Sequence, residues 1–536
     1  MNLSKSRYTR GVQCPKMLWM ETHMPEQFDS SVMNEAVLAT GNDVGDLAMG
    51  YFGPYREIPF DAHDFAGMAR LTRELVEAGE PNICEATFEH DGNLCMVDIL
   101  RVEDDGVRLV EVKSSTHVHD IYLHDMAYQC WLLGACGYRV KSASLMHVNS
   151  AYVREGALDL QQLFTEVDCT REVFRMAEQV GRRVAYLKAV ADEEHEPGSP
   201  EGVKTAVDLA CIAGLVPFLS ESAEGEAFAC NDARDAFAVG PHCSSPYPCG
   251  YRGWCWRHVP HPSVFDLGGY GLNKAFKMVA QGIVTFDDIE RAGLRLKAIP
   301  QRQLEAARTG AQEIVDKAAV ARFLEELEPP LYFLDFETYQ PAVPPYDGVR
   351  PYQQIPTQFS LHVLRADGTL EHREFLADAC GDPRRPLAEA LVRAIPRGAC
   401  SVAYNMSFER MVVKDLAARY ADLADHLLDI REHMHDLMIP FRNGTYYAAA
   451  QNGSFSIKAV LPALFPDDPA LDYHALNGVH NGAQASAAFT DLANMASDEA
   501  ARTREALLRY CELDTLAMVR IWQKLREVVS SGEKND

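Results

Sequence analysis

Apolar and polar positions alternate in two stretches of the chain and follow a helical period through most of the rest. Residues 82–115 read as a three-stranded meander, with turns at His90-Asp91-Gly92 and Asp104-Asp105-Gly106 between alternating runs. Helix-patterned polar text flanks this meander within residues 1–260, and a cysteine and tryptophan cluster closes that region at 243–256. Residues 261–328 read as short helices broken by glycine and proline. The strand PLYFLDFET then opens a second large region. In it, Asp367-Gly368 turns a hairpin between QFSLHVL and LEHREFL, and SVAYN leads into a helix. A long amphipathic helix over 497–528 and a polar tail at 531–536 complete the chain. Strands followed by helices in both large regions predict two α/β domains, 1–260 and 329–530, joined by a helical connector at 261–328.

Composition adds limits. At 47% apolar and 24% charged, the 536-residue chain has an ordinary globular make-up, which excludes wholesale disorder and collagen-like fibre. Its net charge of −26 disfavours a protein that coats nucleic acid non-specifically, but leaves room for an enzyme that grips nucleic acid in a local channel or through metal ions. The N-terminal text lacks the apolar segment of a signal peptide, and no apolar run reaches the roughly 18 residues that span a bilayer, so a cytoplasmic protein without membrane contact is expected. Fourteen cysteines are too few for a disulfide scaffold at this length, and clustered cysteines in a reducing compartment point to metal or a redox cluster.

Three constellations carry chemistry. In the first, LCMVDIL places Asp98 on one meander strand and RLVEVKSS places Glu111 and Lys113 on the next, two apart and so on one face. Two carboxylates suit Mg2+ or Mn2+, and a lysine can orient the attacking water or stabilise phosphorane charge. A solvated Glu/Lys pair on an exposed hairpin is the plain structural alternative. The D-x12-E-x-K spacing resembles the PD-(D/E)XK nuclease core and its RecB-type branch. That resemblance implies a restriction-endonuclease-like fold, a role for Gln129 on the following helix, and Glu85 on the first strand as a further metal ligand. Gly45 stands where that branch often carries a metal-binding histidine.

In the second, Cys14 precedes the meander, and Cys243, Cys249 and Cys255 follow more than 200 residues later. Four thiolates suit a 4Fe–4S cluster or Zn2+. The split resembles the iron–sulfur nucleases of the AddB type and the CRISPR-associated RecB-like exonucleases, which implies a 4Fe–4S cluster stapling the two ends of the domain. Cys84, Cys130 and Cys211 read as ordinary buried cysteines.

In the third, LYFLDFETY carries Asp335 and Glu337 on one face of an apolar strand, where burying paired acids is costly without a cation. SVAYNMSFER places Asn405 at a strand end and Glu409 one turn into a helix, and LLRYCELDTLAMV sets Tyr510 and Asp514 four apart on a helix face. These motifs resemble the DEDD exonucleases of the RNase H-like, DnaQ-type fold, in the tyrosine subclass. By that resemblance, Asp335, Glu337, Glu409 and Asp514 hold two divalent metals and Tyr510 orients the attacking water. Glu409 departs from the aspartate usual there. Asp436 matches a secondary acidic position, and Lys458 reads as a surface lysine that could face the site.

In the connector, Gly269-x-Gly271-x3-Ala275 resembles a helix-hairpin-helix turn and equally fits an ordinary tight turn. Arg291, Arg295, Lys297, Arg302 and Arg308 stand against only Glu305, a local charge of +4 that could guide a phosphate backbone or pair with acidic neighbours. The order of parts resembles an uncharacterised bacterial family joining a RecB-like iron–sulfur nuclease domain to a DnaQ-like exonuclease domain. The expectation is therefore a two-site, metal-dependent nuclease acting on DNA in repair, defence or mobile-element processing. The alternatives are an RNA 3′-end exonuclease whose N-terminal domain mainly binds, and a non-catalytic nucleic-acid scaffold.

Overall fold

Alternation in the first region builds one mixed sheet of seven strands: β1 (Leu3–Ser4), β2 (Arg56–Glu57), β3 (Asn82–His90), β4 (Asn93–Glu103), β5 (Gly106–Lys113), β6 (Val140–Val148) and β7 (Phe164–Asp168). The predicted meander is β3 to β5, antiparallel throughout. Asp91 and Gly92 turn its first hairpin with φ of 49° and 69°, the paired left-handed conformation that a two-residue turn needs and that glycine adopts freely. The helix Asp120–Ala135 then crosses over to β6, which runs parallel to β5. One sheet face buries Leu100, Leu109 and Leu145 against Tyr128 and Leu132 of that helix. The opposite face buries Ile99, Val110 and Met146 against Val44 and Ala48.

The computed structural model describes residues 2–32, 35–197 and 239–531, and Cys211 and residues 532–536 of the tail lie outside them. The chain divides into two units, Met1–Val259 with Ala342–Tyr352, and Pro260–Pro341 with Gln353–Asp536. The connector therefore belongs to the second unit, whereas residues 342–352 belong to the first. There Ala342 joins the core around Ile99 and Val110. The Tyr352 hydroxyl donates to the Ser114 carbonyl, and the Arg154 guanidinium donates to the Pro344 and Pro345 carbonyls at 2.9 Å each.

The second unit contains β8 (Glu313–Val315), β9 (Leu331–Tyr339), β10 (Ile355–Leu364), β11 (Leu370–Leu376), β12 (Cys400–Ala403), β13 (Met434–Asp436) and β14 (Tyr446–Ala448). Its five-stranded sheet runs β11-β10-β9-β12-β13, with β9 antiparallel to β10 and parallel to β12, while β8 pairs with β14 apart from it. Leu334, Phe336, Phe359 and Leu361 fill one face together with Leu387, Leu391, Val413 and Leu416. The other face meets the long predicted helix, observed as Ser497–Ser530, where the Gln358 amide donates to the Leu507 carbonyl at 2.9 Å and Ser360 bonds Thr515 at 2.7 Å. The connector helices Leu272–Val279, Phe286–Arg291 and Ala298–Thr309 bury Leu267, Ala275, Ile289 and Leu304 together. No helix among the described residues is long and apolar enough to cross a membrane.

Gly268 lies so close to another backbone segment that an added Cβ would stand 2.1 Å from the Gly453 carbonyl oxygen. Gly268→Ala should therefore lower the melting temperature, at a cost of about 1–3 kcal/mol. Gly271→Ala, where nothing lies within 4 Å of the new atom, should melt like wild type. Thermal melts of the two variants side by side test this, and equal melting would refute the close packing.

Candidate functional site

In the first unit, strand register lines up three carboxylates. Cys84 pairs Ile99 and Ala86 pairs Val97, so Glu85 stands across from Asp98; Ile99 pairs Val110, so Asp98 stands across from Glu111. Residues directly opposite share a face. Glu85 sits in a left-handed conformation, φ 55°. Asp98 accepts the Val112 N–H at 2.7 Å, and Glu111, fully buried, accepts from Lys113 at 2.5 Å and from the Gln129 amide at 2.7 Å. The predicted set Asp98, Glu111, Lys113 and Gln129 is thus brought together, with Glu85 at its edge.

Two members escaped the sequence reading. Lys5, at the start of the helix Lys5–Gln13, places its ammonium 3.2 Å from both Asp98 and Glu111. Asp125, on the helix Asp120–Ala135, receives Lys113 at 3.1 Å and Gln129 at 3.0 Å. Asp125 lies four residues before Gln129, one helical turn, and that spacing was the available signal. Lys5 offered none, because it arrives from 93 residues away. Burial and then the Asp98 charge push the Glu85 carboxyl up to about 7. Burial also raises Asp98, with Glu111 adding to the effect. Glu111 itself is held well down, because Lys113 and Lys5 outweigh its burial.

The four cysteines, Cys14, Cys243, Cys249 and Cys255, line one cavity together with His242, Lys16 and Met20. The Gln13 amide donates to the carbonyls of His242 and Tyr247 at 2.7 Å each, tying the N-terminal helix to the late cysteine loop. Burial alone would lift the Cys243 thiol and lower His242. Their mutual contact reverses both, bringing Cys243 to about 7 and His242 to about 10 with help from Cys14. Burial pushes Cys249 up to about 12 and Cys255 to about 11. Among the described residues, these cysteines form no set of three with sulfurs within 4.8 Å of one another. A tetrahedral zinc with bonds of about 2.3 Å would need sulfurs roughly 3.8 Å apart.

In the second unit, β9 presents Asp335 and Glu337 on one face, opposite Ser360 and Gln358 of β10. Oxygen atoms of both acids and the Cys511 sulfur lie within 4.8 Å of one another. Glu409 is buried in the first turn of the helix Ser407–Arg419, and its Oε2 has no hydrogen-bond partner. Asp514 accepts the Tyr473 hydroxyl at 2.6 Å. The Tyr510 hydroxyl accepts from the Lys458 ammonium at 3.0 Å. Lys458 is thus exposed along its length, as a surface lysine is, while its charge faces the site. Burial first, and then the neighbouring acids, drive Asp335 well above the usual carboxylate range and Glu337 up to about 8. Burial likewise takes Glu409 to about 8, with Asp436 adding to it, and Asp514 to about 6. Asp335 and Glu337 come within 4.8 Å of one another, while Glu409 and Asp514 stand outside that set and act on it through charge. Hard carboxylate oxygens short of positive charge, one of them orphaned on Glu409, suit Mg2+ or Mn2+.

Asp436 serves differently from the metal-ligand candidates. It accepts the N–H groups of Asn405 and Met438 at 3.0 Å each, holding Asn405 at φ 70° just before the helix that carries Glu409. Of the basic connector residues, Arg291 pairs with Asp288, Arg302 with Glu305 at 2.7 Å, and Arg308 with Glu290 at 3.8 Å. Arg295 and Lys297 are exposed.

Residues 332–456 match a family described as a domain of unknown function, DUF2779. That segment covers β9 to β14, and so includes Asp335, Glu337 and Glu409 but stops short of Tyr510 and Asp514. No curated protein and no solved structure matches the chain.

Glu85, Glu337, Glu409 and Asp514 have folded pKa values of about 7, 8, 8 and 6, all above the unfolded value of about 4. These four carboxyls hold more protons in the native metal-free chain than in the unfolded one, so their contribution to stability falls as pH rises from about 4.5 to about 8. His124 and His362, lowered by burial to about 4, act against this below about 6.5, which leaves the decline clearest between about 6.5 and about 8. Melts of chelator-treated protein should show this decline. Added Mg2+ or Mn2+, which favours ionised carboxylates, should raise the melting temperature by several degrees near pH 8 and by little near pH 5. A flat, metal-insensitive profile would contradict the charge imbalance.

Proposed function

We propose that the chain is a metal-dependent nuclease with two active sites, one in each unit, hydrolysing phosphodiester bonds in DNA. The observation that carries the reading is the convergence of half-buried Asp335 and Glu337 with buried Glu409 and Asp514, charge-poor carboxylates beside a tyrosine–lysine pair. A sheet with its acid pair on the middle strand, faced by a helix bearing Tyr510 and Asp514, supports an RNase H-like exonuclease. In the first unit, the row Glu85–Asp98–Glu111 across an antiparallel meander, with Lys113 beside it and a helix leading to a parallel strand, supports a PD-(D/E)XK fold.

In the second site, Asp335, Glu337, Glu409 and Asp514 would hold Mg2+ or Mn2+, which lower the pKa of a bound water and neutralise charge on the phosphate. Lys458 fixes the Tyr510 hydroxyl, and that hydroxyl orients the attacking water. In the first site, Asp98 and Glu111, with Glu85, would hold the cation. Gln129 fixes the orientation of Glu111, and Lys113, anchored by Glu111 and Asp125, presents its ammonium to the scissile phosphate. Lys5 lies between the same two carboxylates and would exchange partners when a cation enters. The cavity lined by Cys14, Cys243, Cys249 and Cys255, four soft thiol donors, supports a 4Fe–4S cluster joining the ends of the first unit.

Asp335→Ala should abolish mononucleotide release from an end-labelled strand, and Asp98→Ala or Lys113→Ala should abolish the cleavage that survives in the Asp335→Ala protein, each by at least about a hundredfold. Tyr510→Phe should slow release while sparing metal binding, and Glu409→Asp should be tolerated. Single-stranded DNA and RNA, each with Mg2+ or Mn2+, form the substrate pair: preference for RNA would move the substrate class, and no cleavage of either would make the chain a scaffold.

The cluster has its own check. Anaerobically purified protein should contain iron and sulfide, and Cys14→Ala should lose both and melt earlier, since the cluster closes a loop of more than 200 residues. Stoichiometric zinc without iron would overturn this part of the reading.

A further inference from the structure

On the face of the second sheet that meets the Ser497–Ser530 helix, the hairpin of β10 and β11 sets His362 directly opposite His372, their rings stacked at 4.6 Å between centroids. Glu512 approaches from the helix, its Oε1 3.7 Å from His372 Nδ1. One ligand atom from each of His362, His372 and Glu512 lies within 4.8 Å of the other two. One nitrogen of each ring is occupied in a way that orients it. His362 Nδ1 bonds the Thr515 hydroxyl at 2.8 Å, that hydroxyl meets the Ser360 hydroxyl at 2.7 Å, and Ser360 bonds His372 Nε2 at 2.9 Å. Thr515 and Ser360 thus hold both rings from behind, leaving His362 Nε2 and His372 Nδ1 as the nitrogens not engaged in these bonds. Metal-ligating histidines are held in this manner, with the second nitrogen bonded so that tautomer and ring angle are set. The outer oxygen of Glu512 rests on Arg509 at 2.8 Å.

We propose that His362, His372 and Glu512 form a transition-metal site that takes Zn2+, made of residues distinct from the four carboxylates of the nuclease reading and independent of it. Two imidazoles and one carboxylate are borderline donors, suited to Zn2+ and to its spectroscopic substitute Co2+ rather than to Mg2+. His362 is buried, while His372 and Glu512 are partly open, so the ion has a path in from solvent. The site joins the sheet edge to the helix that carries Tyr510 and Asp514, so the ion would lock that helix against the hairpin.

The test uses full-length protein stripped with chelator and reloaded with Co2+ in excess Mg2+, which occupies oxygen-only sites. The expected result is a Co2+ equivalent with ligand-field absorption but no thiolate charge-transfer band. It should be weakened at least tenfold in Glu512→Gln and His372→Ala, weakened about 10–100-fold in Thr515→Val, and retained in Cys14→Ala. Zn2+ should raise the melting temperature of wild type and not that of Glu512→Gln. Glu512→Gln keeps the helix and the side-chain size, so it decides the matter even if His372→Ala misfolds. Undiminished Co2+ uptake by well-folded Glu512→Gln would overturn the proposal, whatever the outcome of the nuclease assays.

Discussion

Like charges placed side by side out of water repel, and the chain confronts that problem twice with different answers. In the second unit buried Leu334 and Phe336 flank Asp335 on β9, so packing of the strand draws Asp335 and Glu337 to half-burial, where buried Glu409 and Asp514 join them. Little positive charge meets them beyond the Lys458 ammonium, which eases Glu337 and Asp514. The fold holds this arrangement only because packing on both sheet faces is extensive enough to carry its cost. In the first unit the same tension is relieved internally: Lys5 and Lys113 thread between Asp98, Glu111 and Asp125. One site is built with its counter-charge in place, and the other is built short of it.

Strand register turns these local choices into a site. Asp98 and Glu111 meet because β4 and β5 keep one alignment across their hairpin, and Glu85, in its left-handed conformation, comes near Asp98 from β3. A one-residue slip in that alignment would send a carboxylate to the opposite face and an apolar side chain into its place. The turn at Asp91-Gly92 likewise acts on the chemistry from a distance, by fixing which residues of β3 and β4 meet. Asp436 plays a comparable part in the second unit, since its backbone bonds hold Asn405 and so aim the helix bearing Glu409.

What the sequence made legible follows from periodicity. Asp98, Glu111 and Lys113 could be placed together because strands alternate and the hairpin turns mark their own positions, and Asp335 with Glu337 likewise. Tyr510 and Asp514 could be set on one face because a helix repeats every 3.6 residues. Lys5, Tyr473 and Lys458 could not be assigned in this way, because they reach their partners through long-range packing that no local period encodes. The pairing of His362 with His372 depends on hairpin register, which the turn at Asp367-Gly368 implied, but their shared contact with Glu512 depends on where the long helix lands. The basic run at 291–308 shows the opposite failure: counted along the chain it forms a patch, but Asp288, Glu290 and Glu305 occupy three of its five charges. Residues 342–352 follow β9 directly in sequence and still complete the other unit's core, which composition does not signal.

That last segment bears on how the chain is made. The first unit's contiguous part ends at Val259, yet Ala342 and Tyr352, which finish one face of its sheet, emerge from the ribosome only after residues 260–341. At about 5–20 residues per second, that interval lasts on the order of ten seconds. During it, the cluster around Ile99 and Val110, already covered by Val44 and Ala48, lacks the contribution of Ala342 from a segment still being synthesised. The first unit is therefore finished only once part of the second has been made. A gene fragment ending near residue 260 would keep the cover that Val44 and Ala48 give this face and lack the part that Ala342 adds.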